Sequence, residues 1–555
     1  MSKDIVYDHN QTLSQALEQI IRAYPGRTAL IHEKNRRTYQ QLGDRISRLA
    51  SSFLRSGIEP GDKIALIMPS GLAFVEVFFA TSKAGGIAVP INPTLRSHEM
   101  KHILEDSEAV AIVVADRIWG GTPLKSALEI RPDLPRLRFV LVAGSTPPPD
   151  TIPLEEWVHH TDAPGVFPQV SPKDLSALIY TSGTTGKPKG SMHSHRTLLF
   201  PLMRSRKASL ELLSKPWEVI KLLVKLTLQF DLRYLKHFGK PINVLSPVPM
   251  YTTTGLVSLL GTLFAGNTLT IMERFIPSQA LKIMAQEKVN AFVGVPTMVT
   301  LLLRDQNFEQ YDLRAMLYVV MGGSPVPPSL VDAIEQRIGC LASIGFGTTE
   351  LGGGISSASI ITDPKDKARE TVGKLQDGWE ARIVDEKRQP LPPGEVGELA
   401  IRGESLMEGY YKADELTQQT IDDEGWYYTG DLASMDEKGY IKIVGRKKDL
   451  IIRGGQNIYP AELEAILLSH PQVVQAAVVG ILDEIAGEKV LAFVVVDDPN
   501  KATPLDILDY CREQMAPYKV PNNIHILDEL PMNPAGKVIK FVLQDQASRK
   551  GEADG

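Results

Sequence analysis

The chain has 555 residues, 43% of them hydrophobic and 23% charged, with a formal net charge of −6. These values suit a globular protein of about three or four compact units and give no electrostatic basis for binding nucleic acid. Two cysteines, Cys340 and Cys511, exclude a disulfide framework or a cysteine zinc site, and no apolar run reaches the length of a spanning helix, so the expectation is a cytoplasmic protein.

From about residue 12 to 350, short apolar runs of strand type alternate with helical patterns. Strands are predicted over 63–68, 109–115, 139–143, 243–248, 291–295 and 316–321. The alternation predicts an α/β fold of parallel sheets covered by helices, with ligands bound beyond the strand ends.

The most informative stretch follows the apolar run 175–180 and reads YTSGTTGKPKG over 180–190. Glycines 183, 186 and 190 permit the tight turn that aims successive backbone N–H groups at one anion. Thr181, Ser182, Thr184 and Thr185 add hydroxyls, and Lys187 and Lys189 add positive charge. The spacing matches neither G-x-x-x-x-G-K-[ST] nor G-x-G-x-x-G. The string resembles the signature of the adenylate-forming superfamily, which includes acyl-CoA synthetases, adenylation domains of peptide synthetases and luciferases. That resemblance implies that Thr181, Ser182, Gly183, Thr184, Thr185, Gly186 and Lys189 hold the phosphates of ATP.

The segment 204–240 is longer than this connection usually is in the resembled family. Lys221, Lys225, Gln229 and Arg233 recur every four residues and predict one polar ridge beside an apolar remainder. Two readings stand: a helix packed on the domain with a solvated basic edge, or a basic amphipathic surface over 216–238 that makes peripheral membrane contact. Next, PMYTTTGL (249–256) occupies the place of the family's acyl-pocket loop, with Thr252 where histidine is common. Tyr251, Thr252 and Thr253 are the expected pocket residues. The small hydroxyl side chains of Thr252, Thr253 and Thr254 either widen and polarise the entrance or reflect a plain turn.

Two glycine-rich loops, 321–325 and 345–350, resemble the family's adenine-binding pair, with Phe346 where tyrosine is usual. The resemblance assigns Gly323, Ser324, Pro325, Gly345, Phe346, Gly347 and Thr348 to the nucleotide. Thr349 is suited to donate to the α-phosphate, and Glu350 is a hard oxygen ligand for Mg2+. From 371 to 444, short strands and Gly/Pro turns predict a small β subdomain. Within it, Asp431 of the run YTGD matches the aspartate that holds the ribose.

The run 439–464 is a longer match. By resemblance, Arg446 also reaches the ribose, Lys448 is the hinge, and Gly454 and Gly455 wall the coenzyme A channel. Strands 473–479 and 490–496 predict a small, mobile α/β domain. Lys537 of LPMNPAGKVIK matches the catalytic lysine, although Ala535 replaces a common threonine. The expected organisation is an adenylation domain over 1–445, a C-terminal domain over 446–545 and a disordered tail over 546–555.

The implied activity is an acyl-CoA synthetase. ATP, Mg2+ and coenzyme A would convert a medium- or long-chain fatty acid to acyl-AMP and then to the thioester. Lys537 and Thr349 would be the catalytic pair. An aryl or alicyclic acid, or a separate carrier protein as acceptor, are the alternatives. The sequence leaves the oligomeric state open, a homodimer included.

Overall fold

The computed structural model describes residues 10–119, 121–144, 147–159, 166–182, 188–359, 363–483, 486–498, 501–533 and 536–553. Two large sheets form the N-terminal part. The first has eight strands, with Lys63–Ile67, Ile87–Pro90, Ala111–Ala115, Phe139–Ala143 and Leu175–Ser182 running parallel in it. The second has nine, built on the parallel run Asn243–Ser246, Ala291–Gly294, Tyr318–Met321 and Leu341–Thr348. All six strands predicted from apolar runs are present. Their apolar runs are continuous because helices cover both faces of a parallel sheet.

One core joins the two sheets. Ile64, Leu66 and Ala111 of the first share it with Leu30, Val244 and Leu269 of the second. Helices Tyr39–Arg55, Leu72–Lys83 and Thr253–Phe264 fill the space between, with Phe53, Phe74, Phe78 and Phe79 fully buried. The described part of the phosphate-loop motif lies on two paired strands: Leu175–Ser182 runs antiparallel to Pro188–Ser194, in the register Thr181↔Lys189.

The β subdomain is an antiparallel four-stranded sheet of Trp379–Val384, Gly397–Gly403, Tyr427–Met435 and Ile441–Arg446. Its last strand passes through the short turn Lys447–Asp449 into a five-stranded C-terminal sheet, where Val473–Asp483 and Gly487–Val496 form the longest pair. Among the described residues no helix is long and apolar enough to cross a membrane.

Two expectations are corrected. The tail expected to be disordered from 546 instead continues the helix Lys540–Ala553. Leu543 and Ala547, one turn apart, reach Ala477, Val479, Leu491 and Phe493 and give the polar segment an apolar anchor. The polar ridge through residues 221, 225, 229 and 233 is also interrupted. One helix ends at Gln229 and a second starts at Arg233. The Arg233 guanidinium turns inward to donate to the Met316 carbonyl at 2.8 Å.

Leu543 is fully buried, so Leu543→Ala should cost about 2–5 kcal/mol of C-terminal-domain stability. Native-state hydrogen exchange would read this as faster exchange in 473–483 and 487–496. Unchanged protection there would show that the helix only leans on the sheet.

Candidate active site

The loops singled out in the sequence converge where strands Tyr318–Met321 and Leu341–Thr348 end. A Cβ on Gly322 would stand 2.9 Å from the Gly345 carbonyl oxygen, so the two adenine-loop candidates touch backbone to backbone. Gly347 is more constrained still. A Cβ there would lie 1.9 Å from the Gly353 oxygen, where the chain folds back into strand Gly353–Ser359. Gly323 has φ +82°, a conformation that glycine adopts without strain, and it leads into Ser324 and Pro325. Phe346 is half-buried against the core of the β subdomain.

Thr349 and Glu350 follow this strand end directly. The Thr253 hydroxyl donates to Thr349 Oγ1 at 2.8 Å, which joins the loop expected at the acyl pocket to the threonine expected at the α-phosphate. Glu350 Oε1 accepts from the Tyr410 hydroxyl at 2.9 Å. Tyr410 itself pairs with Ser191 on the phosphate-loop hairpin, which ties that hairpin to the same acid. Thr181, the backbone of Ser182, and Lys189 lie at the hairpin end. Gly183, Thr184, Thr185, Gly186 and Lys187 lie outside the described residues.

Sequence reasoning missed His193. Its ring is fully buried, with Nε2 3.0 Å from Ser191 Oγ, and it hydrogen-bonds the Thr349 backbone. Burial pushes its pKa down to about 4, so the imidazole is neutral and serves as a hydrogen-bonding strut. The alternation in Ser191-Met192-His193-Ser194, which aims residues 191 and 193 at one face, was the available signal.

The acyl-pocket loop differs from the polar entrance considered above. Thr252 is the N-cap of helix Thr253–Phe264, and its hydroxyl donates to the Pro249 carbonyl at 2.7 Å while accepting from the Gly255 N–H at 3.2 Å. Gly255 is required beside it, since a Cβ would lie 2.1 Å from the Pro249 oxygen. Tyr251 packs half-buried against the main core, and burial raises its phenol pKa.

The ribose candidate carries the clearest ligand signal. Asp431 is 4% exposed, and Arg446, its cross-strand partner, donates from Nε to Oδ1 at 2.8 Å. Oδ2 is buried without a partner. A buried unpaired acceptor costs roughly 1–3 kcal/mol, and a sugar hydroxyl would relieve that cost. Burial raises the Asp431 pKa, against the pull of Arg446 and Lys537.

Lys537 reaches this site on a loop from the C-terminal domain. Gly536 next to it, at φ +79°, sits where a Cβ would meet Val295 of the large domain at 3.1 Å. Arg304 of the large domain donates to the Val473 carbonyl at 2.8 Å across the same junction. The Lys537 side chain is exposed, and contact with water tempers the effect of its surroundings. Desolvation first, then Arg446, bring its pKa down to about 8, with Asp431 pulling the other way. Lys448 lies exposed in the turn between the domains. Gly454 and Gly455, at φ +58° and +78°, form an exposed hairpin turn on the C-terminal sheet.

Among the described residues no group of three His, Cys, Asp or Glu side chains could hold a metal by itself. A lone hard carboxylate, Glu350, suits Mg2+ that takes its remaining ligands from water and from the phosphates of a nucleotide. The described residues therefore offer donors suited to a Mg2+-bound nucleotide triphosphate.

A donor set suited to a nucleotide, with a lysine brought in by a second domain, is the arrangement that an adenylate-forming enzyme requires. The family model described as "AMP-binding enzyme" matches residues 17–411, and that described as "AMP-binding enzyme C-terminal domain" matches 462–537. A medium-chain fatty-acid–CoA ligase of Escherichia coli is 31% identical over 546 residues, covering 97% of this chain and 91% of that protein. A feruloyl-CoA synthase of an Amycolatopsis species is 32% identical over 533 residues, covering 96% and 98%. The solved structure of the anthranilate CoA ligase AuaEII in complex with anthranoyl-AMP superposes with a TM-score of 0.86 at 26% identity, covering 98% of this chain and 99% of that one. The chain belongs to the AMP-binding enzyme family, in its acyl-CoA synthetase branch: AMP-forming acid–thiol ligases that use ATP, Mg2+ and coenzyme A.

Lys537 must be charged to meet phosphate, and its folded pKa of about 8 lies below the ordinary 10.5. The kcat/KM for ATP in acyl-adenylate formation reports the free enzyme and should fall as pH rises through about 8. Lys537→Arg should be slower but hold its activity to higher pH. A flat wild-type profile from pH 7 to 10 would remove Lys537 as the group responsible.

Proposed function

We propose that the acid is an apolar one, a medium- or long-chain aliphatic carboxylate, activated as acyl-AMP and delivered to coenzyme A. The observation that carries this reading is the pocket loop. The hydroxyls of Thr252 and Thr253 are both engaged within the protein, so the loop offers a ligand the half-buried Tyr251 and not an array of free donors. An apolar chain asks no hydrogen bond of the engaged Thr252 and Thr253 hydroxyls. The ligase of Escherichia coli, named for medium-chain fatty acids, supports the same reading. Cys340 and Cys511, both buried as free thiols, support a reducing, cytoplasmic setting.

In the first step a carboxylate oxygen attacks the α-phosphorus of ATP, the bond to the bridging oxygen breaks, and pyrophosphate leaves. Thr349, held by Thr253 and His193, donates to the phosphoryl group, and Lys537 meets the charge that builds on it. Asp431 and Arg446 fix the ribose, and Glu350 would hold Mg2+, which would supply positive charge to offset the negative charge of the phosphates. In the second step a thiolate sulfur attacks the acyl carbon, and AMP leaves with the electron pair of the broken C–O bond. Lys537 occupies the approach in the first step. The small domain then turns about Lys448, withdraws the lysine and brings Gly454 and Gly455 to the thiol's path.

Incubation with ATP, Mg2+, coenzyme A and a pool of fatty, aryl and alicyclic acids, followed by mass spectrometry, should give mainly aliphatic acyl-CoA. Dominant aryl thioesters would overturn the substrate class, and acyl-AMP without thioester would point to a carrier protein as acceptor. In separated half-reactions, Lys537→Ala should cut adenylation by about 10²-fold or more and spare thioester formation from supplied acyl-AMP. Lys448→Pro, which fixes a backbone torsion, should do the reverse. Equal losses in both half-reactions would argue against the domain turn.

A further inference from the structure

The helix Pro216–Gln229 is apolar on two opposite sides. Val219 and Leu226, 8% and 6% exposed, face the protein. Leu226, with Phe230 and Tyr234, packs on Leu317, Leu341 and Ala368. Trp217, Ile220, Val224 and Leu228 recur at intervals of three and four, which places them on one stripe. That stripe is turned away from the buried pair, and its members are 69%, 46%, 52% and 82% exposed. Leu232, Leu235 and Phe238, in and beside the next short helix, are 56%, 54% and 47% exposed. Single exposed apolar residues are ordinary, but a stripe continued by a second cluster within about twenty residues marks an interaction surface.

The segment is held firmly. The Tyr234 hydroxyl donates to the Leu317 carbonyl at 2.6 Å and accepts from the Leu341 N–H at 3.2 Å, while Arg233 donates to Met316. These bonds fix it to the starts of strands Tyr318–Met321 and Leu341–Thr348, whose far ends carry the adenine loops. The apolar stripe is thus presented at the end of the sheet opposite the nucleotide site.

Charge identifies the occupant. Residues 215–240 contain six Lys or Arg and two Asp or Glu, in a chain whose net charge is −6. Both acids are neutralised inside the segment, Glu218 by Lys221 at 3.0 Å and Asp231 by Arg233 at 2.7 Å. A second copy of the chain would bring the same positive charge against itself. An anionic lipid surface accepts the apolar stripe at its acyl boundary and the lysines among its phosphates.

We propose that the face carrying Trp217, Ile220, Val224, Leu228, Leu232 and Leu235 docks on the headgroup layer of an anionic bilayer, with the nucleotide entrance left open to water. The inference stands apart from the identity of the acid. The full-length protein should co-sediment with vesicles containing phosphatidylglycerol, bind neutral phosphatidylcholine vesicles far less, and be released from the anionic ones by salt. Trp217 emission should be quenched by brominated lipid, and Trp217→Phe should remove that component from the signal of the five tryptophans. The pair Leu228→Glu and Leu232→Glu should weaken partitioning roughly tenfold or more, with acyl-AMP formation from a water-soluble acid unchanged as the check on folding. Three results would overturn the proposal: no vesicle binding by the wild type, equal binding by the active double variant, or self-association through this face without vesicle binding.

Discussion

The arrangement of the site depends on one buried carboxylate. Asp431 faces Arg446 across two adjacent strands of the β subdomain, and the same carboxylate lies within electrostatic reach of Lys537 from the other domain. Two cations therefore stand near one anion. The repulsion between Arg446 and Lys537 contributes to the lowered lysine pKa. In the proposed reading a polyanionic nucleotide would supply the missing negative charge, so a ligand that fills Oδ2 of Asp431 would also stabilise the docked position of the small domain. Nucleotide binding and domain position are thereby coupled through ordinary Coulomb interactions.

Distance along the chain matters here as well. Arg446 ends the last strand of the β subdomain, and the C-terminal sheet begins at Ile451. Only the turn at Lys447–Asp449 intervenes. A torsional change in so short a link rotates a whole domain without disturbing the Asp431–Arg446 pair that anchors its near side. Ribose binding and domain rotation can then share neighbouring residues without interfering.

Much of the fold was legible in the sequence. Apolar runs in parallel strands mark themselves by their continuity, and the glycine loops mark themselves because close backbone approach excludes any other residue, as at Gly322 and Gly347. What escaped was decided by tertiary partners. The Thr252 hydroxyl is spent on a helix cap that depends on where helix Thr253–Phe264 begins. His193 acquires its role only because a strand places it beneath the backbone of a residue far along the chain. Arg233 left its expected ridge because the Met316 carbonyl offered a buried acceptor. The final helix forms on two small apolar contacts, Leu543 and Ala547, that a polar composition conceals.

The junction between the domains has a property that bears on how the sequence can drift. Arg304 grips the main-chain oxygen of Val473, and Gly536 meets Val295 with no side chain of its own. A carbonyl is the same for every residue type. Position 473 can change its side chain for the needs of its own sheet without altering the bond to Arg304, so the core of the small domain can be rebuilt over generations while its docking geometry is inherited intact.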